Sequence, residues 1–321
     1  DLVQTKKLVI NFLLSISFGM VLVYFVFKKI DLSDFFLRLD SVQYSWIVFS
    51  IFISLLDHII RAFRWNILMK NDSDSLSTYI TTNIIIVSYF TSLIFPRLND
   101  FVRCYLISKT NTIKLSTSLG TVVSERIIDL ISLFILGFLL LLLEYEIFVN
   151  LLIDLFSNFQ FNLNFLILVI FVSVIIIYIS RFFIKKNKFI SKAFNEFKSG
   201  FFAFKNVYYR ADFLLSTLFL WVIYYIMGYV IFFSLPETSH LGFNAGLSIL
   251  VAGTLGMIVP VNAGIGAYHF LVASILLNYG ISYEGGLFFA TLIHGSQVVA
   301  LLFFGFISSI LLFITIKKKH G

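Results

Sequence analysis

Charged residues interrupt the apolar sequence between positions 57 and 129, and their chemistry needs an explanation. They form three groups: Asp57, His58, Arg61 and Arg64; Arg97, Asp100 and Arg103; and Glu125, Arg126 and Asp129. A charge at the centre of a bilayer costs roughly 2.5 to 3.5 kcal/mol, and such residues usually pair with one another or line a polar cavity. We therefore treat this set as the candidate site.

The spacing within two of these groups places charges on shared helix faces. Asp57, Arg61 and Arg64 follow one another at i, i+4 and i+7, and Glu125 and Asp129 are four residues apart. Residues at these separations lie on the same side of a helix. Two carboxylates on one face favour a nearby cation, which the arginines of the other groups can supply. For Arg64 an alternative is a side chain that extends from a helix end to the membrane surface.

Guanidinium groups suit the recognition of phosphate, because they offer forked donors and keep their charge inside a membrane. The arginines predicted to bind a lipid or anion are Arg61, Arg64, Arg97, Arg103 and Arg126. The carboxylates predicted to hold them when no lipid is bound are Asp57, Asp100, Glu125 and Asp129. The alternative is a closed salt-bridge network with a structural role only.

A second candidate site surrounds the Gly-rich break from Pro260 to Gly266. Asn262, Gly264 and Gly266 would present backbone N–H groups at the start of a helix, which is a suitable seat for an anion. His269 would adjust the charge of this seat with pH. The alternative is that the glycines only permit tight helix packing.

Composition excludes a soluble globular protein. Hydrophobic residues make up 59% of the 321 residues, charged residues only 13%, and mean hydropathy is +0.97. Several apolar runs approach the ~20 residues that a spanning helix needs, and no stretch alternates as a membrane barrel does, so we predict an all-α polytopic membrane protein. Cys104 is the only cysteine and the five histidines lack metal-binding spacing, so we expect no metal and no cofactor. We also expect no nucleic-acid partner, because the basic residues behave as orientation signals in loops.

The distribution of Lys and Arg predicts the topology. All but one of the basic segments fall on the cytoplasmic side if 76–108 and 247–277 each enter and leave on one face; Lys28-Lys29 does not fit. This gives about six full spans, beginning with 8–27, and two re-entrant helical hairpins inserted from opposite sides, with both termini cytoplasmic. In an alternative, the second hairpin is two thin spans. Paired broken helices in two halves indicate a transporter-type site near the membrane midplane.

The predicted domain organisation follows from this topology. We expect one integral membrane domain over residues 1–321, with 44–143 and 212–316 as two halves of a possible inverted repeat. Residues 185–210 interleave lysines with phenylalanines, which is typical of a basic segment on an anionic membrane surface.

Four motifs in this order resemble the flippase-like membrane domain of the lysylphosphatidylglycerol synthetase family. They are Arg61-x-x-Arg64-Trp65, Pro96-Arg97-x-Asn99-Asp100-x-x-Arg103, Glu125-Arg126-x-x-Asp129, and Pro260 to Gly266 before a final membrane helix. The resemblance implies a membrane domain of a bacterial or archaeal cell membrane. The sequence departs from the family where Asn99-Asp100 replaces a common Gly-Glu, and where His269 replaces an acid. The family's synthetases carry an aminoacyl-transferase domain downstream, and nothing follows Gly321, so aminoacyl transfer is not expected from this sequence. Because it also contains no recognisable catalytic motif, we do not expect an enzyme.

Two functions remain open at this point. The first is binding and transbilayer movement of an anionic or phosphate-bearing lipid. The second is a membrane accessory subunit that presents a lipid-linked substrate to a separate glycosyl- or aminoacyl-transferase. A third reading, a catalytic glycosyl or acyl transferase, needs a carboxylate or His site open to water; only Asp57, His58, Glu125 and Asp129 could supply it, and they form no recognisable motif. Asp72-Ser73-Asp74 has the D-x-D form of nucleotide-sugar transferases, but without a soluble α/β domain around it a solvated loop is the alternative.

Overall fold

The structure is a computed structural model that describes residues 37–69, 77–93, 98–110, 113–156, 188–207, 211–258 and 266–320. The described residues form helices and turns and contain no strand, which confirms the all-α prediction. The predicted first span at 8–27, the predicted span at 161–183 and the segment Asp72-Ser73-Asp74 lie outside these ranges.

The helices follow a short 3-10 turn at Leu39–Ser41. In chain order they are α1 (Tyr44–Met69), α2 (Thr78–Ser92), α3 (Asn99–Thr110), α4 (Leu115–Leu143), α5 (Tyr145–Phe156), α6 (Lys188–Phe201), α7 (Phe204–Val207), α8 (Ala211–Tyr229), α9 (Phe243–Ile258), α10 (Ala267–Leu277) and α11 (Tyr283–His320). A 3-10 turn at Val230–Ser234 continues α8.

Four of these helices, α1, α4, α8 with its 3-10 turn, and α11, are long and apolar enough to cross a membrane. None of the four contains a proline, so each can pair its backbone groups internally, as hydrocarbon requires. The chain is therefore a polytopic integral membrane protein. The total of six spans stays a prediction.

The two predicted breaks both separate short helices. In the first half α2 ends at Ser92 and α3 begins at Asn99; in the second, α9 ends at Ile258 and α10 begins at Ala267. Within the second pair, a Cβ at Gly256 would lie 2.6 Å from the Cα of Tyr268, so the helices approach more closely than a side chain would allow. The observed helix ends agree with two broken helices, whereas their re-entrant course stays a prediction.

Each half of the chain packs a short helix against the last helix of the other half. Helix α2 of the first half packs along α11, and a Cβ at Gly305 would lie 2.6 Å from the Cβ of Phe90. Helix α9 of the second half packs on α4, where Leu247 and Val251 share a buried apolar cluster with Leu133. Helices α1 and α8 also pack together. The ring of Trp46, near the start of α1, lies 5.1 Å from the ring of Phe233 in the 3-10 turn that continues α8. Each broken helix thus contacts the last helix of the other half.

Helix α6 lies against the first turns of α4. The carbonyl oxygen of Phe197 would overlap a Cβ at Gly120, so the two backbones touch. Lys114 and Ser116 donate hydrogen bonds of 2.5 and 2.6 Å to the carboxylate of Glu196, and these hydrogen bonds lower the pKa of Glu196. The predicted interfacial segment therefore uses one face to bind α4. Its other face leaves Lys192, Phe194 and Lys198 exposed.

Candidate functional site

Glu125 lies at the centre of a buried network of charges. Its side chain has no exposed surface, although it carries a charge in the middle of an apolar helix. Arg61 Nη1 donates to Glu125 Oε1 at 3.0 Å, and Arg103 Nη1 donates to Glu125 Oε2 at 3.1 Å. Arg64 Nη2 completes the set as an ion pair at 3.4 Å. Helices α1, α3 and α4 thus each contribute a charge to one contact.

Two further carboxylates extend this network on either side of Glu125. Asp129 accepts a 2.7 Å hydrogen bond from Arg64 Nη1. Asp100 accepts hydrogen bonds of 2.7 and 3.1 Å from Arg126, and its Oδ1 lies 2.8 Å from Arg103 Nη2. The 2.8 Å contact between Asp100 and Arg103 lies within α3, at i and i+3, whereas Arg126 and Asp129, also at i and i+3, are 3.8 Å apart.

Asp57 and His58 form the outer edge of the network. Asp57 Oδ1 lies 3.8 Å from Arg61 Nε, and Asp57 Oδ2 lies 3.4 Å from His58 Nδ1. Both side chains are buried. The contact between Asp57 and Arg61 is the one that the i, i+4 spacing predicts.

Aromatic side chains hold the arginines in place. The guanidinium carbon of Arg103 lies 4.8 Å from the ring centre of Trp65, and Trp65 in turn donates a 3.0 Å hydrogen bond to Thr121. Arg61 donates a hydrogen bond to the hydroxyl of Tyr224 and lies 5.6 Å from the ring centre of Tyr89. Stacking on an aromatic face suits a weakly hydrated guanidinium. Sequence reasoning missed Tyr89 and Tyr224, because neither is near a charge in the sequence.

The charges of the described network balance. Arginines 61, 64, 103 and 126 supply four positive charges, and Asp57, Asp100, Glu125 and Asp129 supply four negative ones. The fold brings these eight residues together. Whether they bind a lipid stays a prediction, because a balanced network also describes a closed salt-bridge cluster.

Some arginine donors in this network lack an acceptor. The Nε atoms of Arg64 and Arg103 are buried and make no hydrogen bond within the described part of the chain. A buried donor without a partner costs about 1–3 kcal/mol. The network therefore retains capacity for a further acceptor.

An apolar cleft of about 510 Å³ opens beside the network between α4 and α8. Its walls include Ile128, Ile131 and Ser132 of α4, and Phe213, Thr217 and Trp221 of α8. Asp129, which holds Arg64, directly follows Ile128 in the same helix. The volume lies within the range of roughly 300–1,000 Å³ that small-molecule sites occupy. The cleft is suited to a hydrocarbon chain.

The structure describes only part of the second candidate site. Arg97 of the first site, and Asn262 and Gly264 of the second, lie outside the described residues. Gly266 is buried and precedes α10 with a φ of 89°, a backbone conformation that favours glycine. His269 packs its ring 5.1 Å from that of His294 on α11. The spacing of residues along the chain does not indicate this pairing, because the two histidines belong to different helices.

The described residues contain no group of three or more His, Cys, Asp or Glu side chains that could hold a metal ion. The carboxylates of the network are instead each within 4.0 Å of a guanidinium. Their chemistry is thus the orientation of arginines.

Four helices long and apolar enough to cross a membrane, packed with a buried network of arginines and carboxylates, define a helical membrane protein. The chain belongs to the family described as the lysylphosphatidylglycerol synthase TM region, whose model matches residues 10–305. This confirms the resemblance inferred from the four motifs, and it indicates a function related to membrane lipids. Comparison with curated proteins and with solved structures found no match.

Proposed function

We propose that the protein binds a phosphate-bearing lipid and moves it between the two leaflets. The observation that carries this proposal is the apolar cleft between α4 and α8, because its lining residues Ser124 and Ile128 directly precede Glu125 and Asp129, which bind the buried arginines. A lipid has the same two parts, an apolar chain and a charged headgroup. The chain would occupy the cleft, while the headgroup phosphate would reach the arginines.

The arginine network supports this function through its donors. A phosphate accepts several hydrogen bonds from guanidinium groups, and such charged hydrogen bonds are roughly twice as strong as neutral ones. Within the described ranges, the Nε atoms of Arg64 and Arg103 make no hydrogen bond, so the carboxylates do not use all of these donors. In the absence of lipid, Glu125 and Asp129 keep the arginines in position.

We also propose that the chain acts as a transporter and not as an enzyme. A catalytic carboxylate must be open to water and to its substrate. Glu125 is fully buried, and Asp57 is buried beside Arg61. These carboxylates are engaged in holding arginines, which supports the assignment of a binding role.

Reconstitution in liposomes with a fluorescent phospholipid tests the proposal. The wild-type protein should accelerate leaflet exchange, and Arg61→Gln should abolish the acceleration. Because Arg61→Gln removes a buried charge and can impair folding, Ile131→Trp provides a second variant that fills the cleft from a half-exposed position. Leu130→Trp is its matched control, since Leu130 is equally exposed and does not line the cleft.

The expected result is slow exchange with Ile131→Trp and normal exchange with Leu130→Trp. Exchange by the wild type that equals that of empty vesicles would contradict the proposal. Equal rates of leaflet exchange in both tryptophan variants would show that the lipid does not use the cleft.

A second candidate function is that of an accessory subunit for a separate transferase. The exposed face of α6, which carries Lys192, Phe194 and Lys198, favours it, because α6 needs only its opposite face to bind α4. This candidate gains if lipid co-purifies with the protein while leaflet exchange stays at the level of empty vesicles.

A further inference from the structure

Arg61 has an unusual set of partners. Its Nη1 donates to Glu125 at 3.0 Å, its Nε lies 3.8 Å from Asp57, and its Nη2 donates to the hydroxyl of Tyr224. The other guanidinium hydrogen bonds of the described network, from Arg64, Arg103 and Arg126, all end on carboxylates. The contact with Tyr224 is thus the one that uses a neutral acceptor.

Tyr224 lies between the cleft and the network. It is half-buried on α8, one helical turn after Trp221, and the two rings pack edge to face with centres 5.7 Å apart. Trp221 is itself a wall of the cleft. Tyr224 therefore connects a wall of the cleft to a guanidinium of the network.

We propose that the hydroxyl of Tyr224 occupies the place that a headgroup phosphate oxygen takes on Arg61 Nη2. This inference rests on the proposed function and identifies the first headgroup contact. A phosphate oxygen is a stronger acceptor for a guanidinium than a phenol is, because both partners then carry charge. Tyr224 holds the donor while the site contains no lipid, and it gives way when one arrives.

The carboxylates of the network are poor candidates for this exchange. A carboxylate that loses its arginine is left as a buried, uncompensated charge, which is strongly unfavourable. A displaced phenol carries no charge, and Tyr224 is only half-buried, so its displacement leaves no uncompensated charge behind. The exchange at Arg61 Nη2 is therefore the least costly that the described network offers.

The variant Tyr224→Phe distinguishes this role from a structural one, because the two roles predict opposite changes in the affinity for lipid. Without the hydroxyl, Arg61 Nη2 lacks its acceptor until phosphate supplies one. Tyr224→Phe should therefore bind phosphatidylglycerol about tenfold more tightly than the wild type, equivalent to about 1.4 kcal/mol. A tyrosine that only stabilises the fold predicts the opposite, namely weaker binding.

The measurement is a titration of the purified protein with phosphatidylglycerol and, separately, with diacylglycerol of the same chains, followed by native mass spectrometry. Diacylglycerol lacks the phosphate, so its affinity should not change in Tyr224→Phe. Tyr225→Phe is the matched control on the next position of α8, since that hydroxyl donates to the backbone carbonyl of Phe243 outside the network. Its affinity for both lipids should equal that of the wild type.

A second variant keeps the inference testable if Tyr224→Phe folds poorly. Arg61→Lys keeps the charge but loses the forked donors, so the preference for phosphatidylglycerol over diacylglycerol should fall severalfold. Unchanged or weaker phosphatidylglycerol binding by Tyr224→Phe, or an unchanged preference in Arg61→Lys, overturns the inference. If the wild type still accelerates leaflet exchange in that case, the proposed function stands and only the role of Tyr224 is rejected. If the wild type also fails to accelerate exchange, the proposed function is rejected as well.

Discussion

Glu125 makes contacts with Arg61, Arg64 and Arg103 while its own side chain has no contact with solvent. Taking ions out of water is costly, and the cost is recovered only if each charge finds close partners. Three arginines around one carboxylate meet this condition. They also make every member of the set dependent on the others.

Replacement of Glu125 by Gln should therefore destabilise the protein strongly. The change leaves buried arginines without their shared counter-charge, and we expect a loss of about 3–5 kcal/mol in the free energy of unfolding. Thermal unfolding in detergent measures it. Glu284→Gln is the matched control, because Glu284 is exposed and should change the stability by less than about 0.5 kcal/mol. Equal melting temperatures for both variants would mean that Glu125 is not the centre of the network.

At the scale of elements, the crossing of α4 and α6 is the contact that most constrains the chain beside the site. The backbones touch at Gly120 and Gly200, and Ser124, the residue before Glu125, donates to the carbonyl of Phe201. Helix α6 thus supports the turn of α4 that carries Glu125. The lysines of α6 predict a membrane-surface role, whereas the glycines reveal a packing role as well.

The substitution Gly120→Ala should separate the two helices. Its Cβ would overlap the backbone of α6, which cannot give way as a flexible side chain does, so we expect a loss of about 1–3 kcal/mol. Faster tryptic cleavage at Lys192 and Lys198 should accompany it. Gly295→Ala is the control, since no atom lies within 4 Å of its new Cβ. Cleavage of Gly120→Ala at the wild-type rate would contradict the close crossing.

At the scale of the whole molecule, the two halves make matching contacts with each other. Helix α2 packs on α11, and α9 packs on α4, so each broken helix contacts the final helix of the other half. A pair of halves related by a two-fold axis would show this reciprocity. The inverted repeat and the cytoplasmic position of both termini stay predictions, and labelling can test their topology.

Cys104 is completely buried, so its thiol should not react from either side of the membrane and cannot report the topology. The substitutions Ser199→Cys and Ser239→Cys, each in a Cys104→Ala background, place a single thiol at an exposed position. Ser199 lies in α6, before α8 in the chain, and Ser239 lies after the 3-10 turn that continues α8. In intact cells a membrane-impermeant maleimide should label Ser239→Cys and reach Ser199→Cys only after permeabilisation. Labelling of Ser199→Cys from outside would reverse the predicted orientation.

The sequence by itself determined the class of the protein, the broken helices and the members of the charge network. Hydrophobic composition leaves only helices that satisfy their own backbone, and charges such as Arg103 and Glu125 must then find one another, because no solvent is present to hold them. The i, i+4 spacing placed Asp57 and Arg61 on one helix face, where the two side chains lie 3.8 Å apart.

The tertiary structure alone decided which carboxylate each arginine uses. Sequence spacing favoured partners within a helix, but Arg126 binds Asp100 of α3 more closely than Asp129 of its own helix. It also supplied Tyr224 and the cleft, since both depend on how α8 lies against α1 and α4. Contacts between distant helices leave no local pattern, because they arise from the packing of whole faces and not from the spacing of neighbours along one chain.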